Sequence, residues 1–182
     1  MTTTRTVAVF GSSQIGVDST EWAEAVSVGA RLASAGMVVV TGGYGGTMEA
    51  VSLGAAAAGG RVVGVTAPTL FPDRVGANPH VQELIEASSL AHRIDVMMGR
   101  ADATLSLPGS IGTATELLMA WNINYIKRRS GQLPLPSAAV GVQWKKVADA
   151  LVLLIGAEID SIYWANDVEE GTDWIIDQLQ VL

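Results

Sequence analysis

The chain has 182 residues, a formal net charge of −7, and only 16% charged residues against 49% hydrophobic. That balance excludes a disordered polymer, and a sequence pI near 4.7 argues against general nucleic-acid binding, which needs a basic face. The length suits one domain spanning residues 1–182, and so sparse a charge implies that another subunit covers some of the apolar surface.

Without cysteine there are no disulfides and no thiolate metal sites. His80 and His92 are too far apart for a helical metal pair, so neither a metal nor a cofactor is expected. The N-terminal MTTTRTVAVF carries one arginine and a four-residue apolar run, too short for a signal peptide, and no apolar stretch reaches membrane-spanning length. A cytoplasmic protein that touches neither membrane nor nucleic acid is the expectation.

Residues 7–10 form a short apolar run, predicted as a buried strand that ends at Gly11-Ser12-Ser13. Asp18-Ser19-Thr20-Glu21 has capping-box spacing and opens a helix to about Ala35, stopped by Gly36. Residues 37–41 are a second, β-branched strand, followed by the glycine turn 42–46. An alanine-rich helix from Thr47 ends at Gly59-Gly60, and residues 61–66 are a third strand. Strand alternating with helix in this way predicts a parallel sheet with right-handed crossovers.

Residues 67–79 hold three prolines and no periodicity, the character of a lid or binding loop. A helix over 88–99 should turn Leu90, Ile94, Met97 and Met98 inward. Residues 103–107 are a fourth strand, leading through PGSIGT into a helix to about Arg128. The cations Lys127, Arg128 and Arg129 complement the negative end of that helix. A strand at 137–142 and helices at 144–155 and 168–179 complete the chain.

Three turns leave strands at one edge, and all are built from small residues: 11–13, 42–47 and 109–113. Small residues let backbone approach a ligand, and each following helix offers unpaired N–H groups at its positive end. Such an edge suits a phosphate. No GxxxxGK(S/T) occurs and no lysine lies near these turns, which argues against a nucleoside triphosphatase. The first strand ends in GSSQIG rather than GxGxxG, and Thr41-Gly42 stands where a dinucleotide fold places an acid.

PGSIGTATE, residues 108–116, resembles the PGGxGTxxE signature of the Lonely Guy (LOG) family, often labelled lysine decarboxylases. TGGYGGTMEAVSLGAAAAGGRVVGVTAP, VFGSS and LAHRIDVMM are similar to that family's second-strand turn, opening strand and arginine-bearing helix. The resemblance runs in order from about residue 6 to 129. It implies an α/β, Rossmann-like doubly wound parallel sheet with helices on both faces, a three-layer sandwich.

The resemblance further implies a hydrolase that cleaves the N-glycosidic bond of a nucleoside 5′-monophosphate, cytokinin riboside monophosphate or AMP-like, to free base and ribose 5-phosphate. It places the catalytic pair on Arg93 and Glu116 and the phosphate turn on Gly109, Gly112 and Thr113. Ser110 departs from the family's second glycine, and Ile94 from its usual lysine. GGYGGTMEA is closer to a subgroup that includes molybdenum-cofactor carriers. The alternative is therefore a non-catalytic carrier of a phosphorylated ligand such as that cofactor. A pyridoxal-phosphate decarboxylase is excluded, because Lys127, Lys145 and Lys146 all lie away from the glycine turns.

The residues themselves leave some roles open. Thr113-x-x-Glu116 has capping-box spacing, yet a carboxylate at this edge could also stabilise an oxocarbenium-like ribose. Arg93 reads as a solvated flank residue or as a phosphate or leaving-group contact. Glu49 suits the first turn of its helix, and Asp73 and Arg74 read as a solvated pair. Ser12, Ser13, Gly43, Gly45, Gly46 and Ser110 complete the expected substrate-binding set. LLMAW, residues 117–121, is apolar on nearly every side, and with the resemblance it implies a homodimer through that helix.

Overall fold

The computed structural model describes residues 4–74 and 76–181. Residues 1–3 of the N-terminal stretch read above, Val75 of the long loop and Leu182 lie outside the described residues.

The central strand is β1 (Thr6–Phe10), whose alternation serves two cores at once. Val7 and Val9 point to one face of the sheet, Ala8 and Phe10 to the other, and all four are buried. A strand covered on both faces needs continuous apolar sequence, as this one has. Around it lie β2 (Val38–Thr41), β3 (Val62–Thr66), β4 (Glu83–Glu86), β5 (Ala103–Ser106), β6 (Ser137–Val140) and β7 (Tyr163–Ala165). All pairings are parallel, in the order β4-β3-β2-β1-β5-β6-β7.

On the Val7 face pack α1 (Thr20–Ser34), α2 (Thr47–Ala57) and α6 (Val168–Val181), through Val28, Leu32, Val51 and Ile175. Helices α1 and α2 approach closely at two glycines. A Cβ on Gly29 would run into the Val51 carbonyl, and one on Gly54 into the Val26 carbonyl. The opposite face carries α3 (Leu90–Arg100), α4 (Ile111–Arg129) and α5 (Val142–Ile155). Met97 of α3 packs on Ala8 and Phe10, while Leu117 and Trp121 of α4 meet Trp144 of α5 over Ala139. The doubly wound three-layer α/β sandwich is therefore present.

Several boundaries differ from the pattern reading. The edge strands β4 and β7 carry too little signal: ELIE alternates half-buried and exposed residues, and β7 has only three. The strand expected over 137–142 stops at Val140, because Gly141 at φ 107° turns the chain straight into α5. Ser19 rather than Asp18 caps α1, its Oγ accepting the Trp22 N–H at 3.1 Å. Leu90, expected inside, is exposed at the start of α3, whereas Arg93 is buried.

Candidate active site

The strand order reverses between β1 and β5, and in open parallel sheets the crevice beyond the carboxyl ends at such a point receives ligands. Three turns meet there. The Ser12 N–H donates to the Pro108 carbonyl at 3.3 Å, and the Thr47 N–H donates to the Ser12 carbonyl at 2.8 Å. Gly46 adopts φ 69°, and a Cβ there would strike the backbone of Ser12 and Ser13. Small residues are needed because these turns pack on one another.

Helix α4 begins at Ile111 with Ser110 as its N-cap, three residues earlier than a cap at Thr113 would require. This overturns the capping-box reading of Thr113 and Glu116. Thr113 is the third helical residue and Glu116 sits in the second turn, beyond reach of the unpaired first-turn amides. Thr113 is buried, and its Oγ1 has no hydrogen-bond partner among the described residues. An orphaned buried hydroxyl beside free helix N–H groups suits an anionic ligand.

Arg93 is not a solvated flank residue. It is 6% exposed, and its guanidinium ties together three strand and helix ends. Nε donates to the Val65 carbonyl at 2.7 Å and Nη2 to the Gly42 carbonyl at 3.0 Å, while Nη1 lies 3.6 Å from Glu116 Oε1. Its burial in the α3 face follows from these acceptors at the ends of β3 and β2. Glu116 is 8% exposed. Desolvation pushes its carboxyl up to about 7, although the Arg93 cation pulls the other way. Burial likewise lowers Arg93 from its usual value, and an arginine still stays charged there.

The pair forms the floor of a cleft of about 270 Å³. Of the residues expected from sequence, Ser13, Ser110, Gly112 and Thr113 line it together with Arg93 and Glu116. Gly45 lies instead on an adjoining cavity of about 370 Å³, beside Glu49. Ser12, Gly43, Gly46 and Gly109 line neither and shape the turns behind them; the Ser12 Oγ accepts the Gln14 N–H at 3.1 Å, closing its own turn.

Gly42, from the second of the glycine turns, and Met48, which no sequence signal marked, also line the cleft. Phe71 and Arg74 of the 67–79 loop also line it; Asp73 and Arg74 are both exposed, as expected, but they form no ion pair among the described residues, and Arg74 lies over the Phe71 ring instead. The only sequence signal for them was the loop's length. Among the described residues no group of three or more His, Asp or Glu could hold a metal, and no helix is long and apolar enough to cross a membrane.

Residues 4–126, from β1 into α4, match the SLOG cluster4 family. A Mycobacterium marinum protein named cytokinin riboside 5′-monophosphate phosphoribohydrolase is 40% identical over 101 residues, 55% of this chain and 54% of that protein. The chain spans about half the length of the curated relatives it matches. Among solved structures, the molybdenum cofactor binding protein from Rippkaea orientalis superposes with a TM-score of 0.76 at 20% identity, over 98% of this chain and 99% of the other. The molybdenum cofactor carrier protein from Chlamydomonas reinhardtii gives 0.72 at 21% identity, over 99% and 100%. At those identities the likeness is one of fold. With its glycine turns at the switch point, its PGSIGTATE stretch and a family match over most of its length, the chain belongs to the LOG-type SLOG cluster4 family.

Proposed function

We propose that the cleft hydrolyses the N-glycosidic bond of a nucleoside 5′-monophosphate, releasing the free base and ribose 5-phosphate. The observation that carries this reading is the buried Glu116 carboxylate, 3.6 Å from Arg93 and beside the open N-terminus of α4. The phosphate sits on the α4 amides and the Thr113 hydroxyl, which puts the ribose over Glu116. As the C1′–N bond breaks, its electron pair leaves with the base and positive charge builds on the ribose. Ionised Glu116 stabilises that charge and takes a proton from the water whose oxygen bonds to C1′, while the departing base takes a proton from solvent and Glu116 later returns its own to solvent.

A carboxyl held at about 7 is poised for this base role near neutral pH. Arg93, anchored on the Val65 and Gly42 carbonyls, holds Glu116 in place. Ser13, Ser110 and Gly112 contact the ligand, and the turns of Ser12, Gly43, Gly45, Gly46 and Gly109 set the shape of the edge. The names of the curated relatives support cytokinin riboside monophosphates as first substrates to try.

The decisive experiment incubates pure protein with a panel of nucleoside monophosphates and measures free base and ribose 5-phosphate. Release from at least one, abolished in Glu116→Gln, is the expected result. Tight binding of a phosphorylated ligand such as molybdenum cofactor with no base released from any nucleotide would overturn the hydrolase in favour of a carrier.

The assembly we propose is a homodimer through α4 and α5. Leu118 and Met119 on α4 are about two-fifths exposed, and Leu153, Leu154 and Ile155 on α5 are more than 70% exposed. Apolar exposure concentrated on two neighbouring helices exceeds what a soluble monomer ordinarily leaves in water.

A further inference from the structure

The cleft floor carries too little free positive charge for the ligand it would take. A phosphomonoester brings about two negative charges at neutral pH, and ionised Glu116 adds another. Arg93 cannot answer them, because two of its nitrogens donate to the Val65 and Gly42 carbonyls and the third faces Glu116. Among the described residues, the one other cation lining the cleft is Arg74.

Arg74 is pre-placed without being neutralised. Its guanidinium lies 4.7 Å from the Phe71 ring centroid and 5.1 Å from that of Tyr44, and these two rings meet edge to face at 5.6 Å. The loop is fastened on both sides of Arg74. The Ala67 N–H donates to the Tyr44 hydroxyl at 2.9 Å, and the Asn78 N–H donates to the Gly43 carbonyl at 2.7 Å. The Asn78 side chain also donates to the Tyr44 carbonyl, at 3.1 Å. No carboxylate lies within ion-pair distance of Arg74 among the described residues, and its polar contact is a long one, 3.5 Å to the Ser13 Oγ. A guanidinium held by aromatic faces keeps its N–H fork free, and that fork matches phosphate oxygens two at a time.

We propose that Arg74 recognises the phosphate of the ligand from the loop side of the cleft, opposite the α4 amides, and so sets the preference for a phosphorylated sugar over an unphosphorylated one. This rests on reading the cleft as a nucleoside monophosphate site. Ser110, Ile111 and Gly112 at the α4 N-terminus line the same cavity, with the orphaned Thr113 hydroxyl buried just behind them, so the anion is held between a helix end and a cation. Arg74 also borders the adjoining cavity lined by Glu49.

The test uses the full chain and its Arg74→Gln and Arg74→Lys variants, with ribose 5-phosphate and ribose as calorimetric probes and AMP and adenosine as substrates. In Arg74→Gln, affinity for ribose 5-phosphate should fall about 10- to 100-fold and KM for AMP should rise by a similar factor. Affinity for ribose and any cleavage of adenosine, which carry no phosphate, should stay within about twofold, and Arg74→Lys should recover part of the loss because it keeps the charge. Unchanged ribose 5-phosphate affinity in Arg74→Gln overturns the proposal, as do equal losses for ribose and ribose 5-phosphate. If the wild-type protein binds ribose 5-phosphate but cleaves no nucleotide, the hydrolase reading fails alone and the binding comparison still decides Arg74. A wild-type protein that binds no phosphorylated sugar overturns both.

Discussion

Arg93 and Glu116 face each other across 3.6 Å, 6% and 8% exposed, and the carboxyl nevertheless rises to about 7. Loss of water outweighs the attraction of the neighbouring cation, whose guanidinium is shared with two backbone carbonyls. A carboxyl in that balance changes charge across neutral pH, with consequences for both turnover and stability.

Turnover should follow the ionisation of Glu116. For a nucleoside monophosphate, kcat/KM should climb about tenfold per pH unit below 7 and level off above it. Initial rates between pH 5 and 9 check this; a flat profile removes Glu116 from the proton-transfer step.

Stability should move the opposite way. Because the folded carboxyl titrates at about 7 against 4.5 unfolded, the native state binds the extra proton between those values. The contribution is therefore fully present below the unfolded value and is lost as pH rises through 7, amounting to about 3 kcal/mol at most. Urea unfolding at pH 5 and pH 8 should show this loss in the wild type and a smaller one in Glu116→Gln. An identical pH slope in the two proteins would contradict it.

Arg93→Met removes the cation and orphans two buried carbonyls. It should cost about 3 kcal/mol of stability, and the alkaline shift of Glu116 should deepen, moving the limb of the pH–rate curve upward by about a unit. Thermal melts and the pH profile, read together, separate the structural part from the electrostatic one. A limb that stays in place means the Arg93 charge does not reach Glu116.

Thr113→Val tests what the orphaned hydroxyl is for. Its Oγ1 makes no hydrogen bond among the described residues, so stability should change by less than about 0.5 kcal/mol. Affinity for ribose 5-phosphate should fall about tenfold if the hydroxyl serves the ligand. Unchanged affinity would leave it an unexplained buried polar group.

The α4–α5 face bears on assembly. Leu118→Asp should convert a dimer to monomers or aggregates in light scattering, because a charge buried at a subunit contact goes unpaired. A wild-type protein that is monomeric throughout the accessible concentration range would refute the dimer.

Sequence alone determined the frame and the edge at which the glycine turns gather. VAVF, VVVT and VVGVT have the continuous apolar character of strands covered on both faces, and the glycine breaks after them mark the turns. Those signals lie within a few adjacent residues, and the parallel-sheet rule then gathers the turns at one edge without any contact information. Edge strands β4 and β7 escaped because short, half-exposed segments share their composition with loops.

The site's chemistry was decided only by tertiary structure. Thr113-x-x-Glu116 carries the same letters whether it caps a helix or not, and only the start of α4 at Ile111 turns Glu116 toward Arg93. Arg93 sits at a helical flank in the pattern, and it is buried because carbonyls from two distant strand ends wait for its donors. Arg74 came from a loop with no periodicity, placed by the rings of Tyr44 and Phe71, which are 27 residues apart. Burial, and the charge state that follows from it, belong to groups brought together across the chain, so no local pattern encodes them.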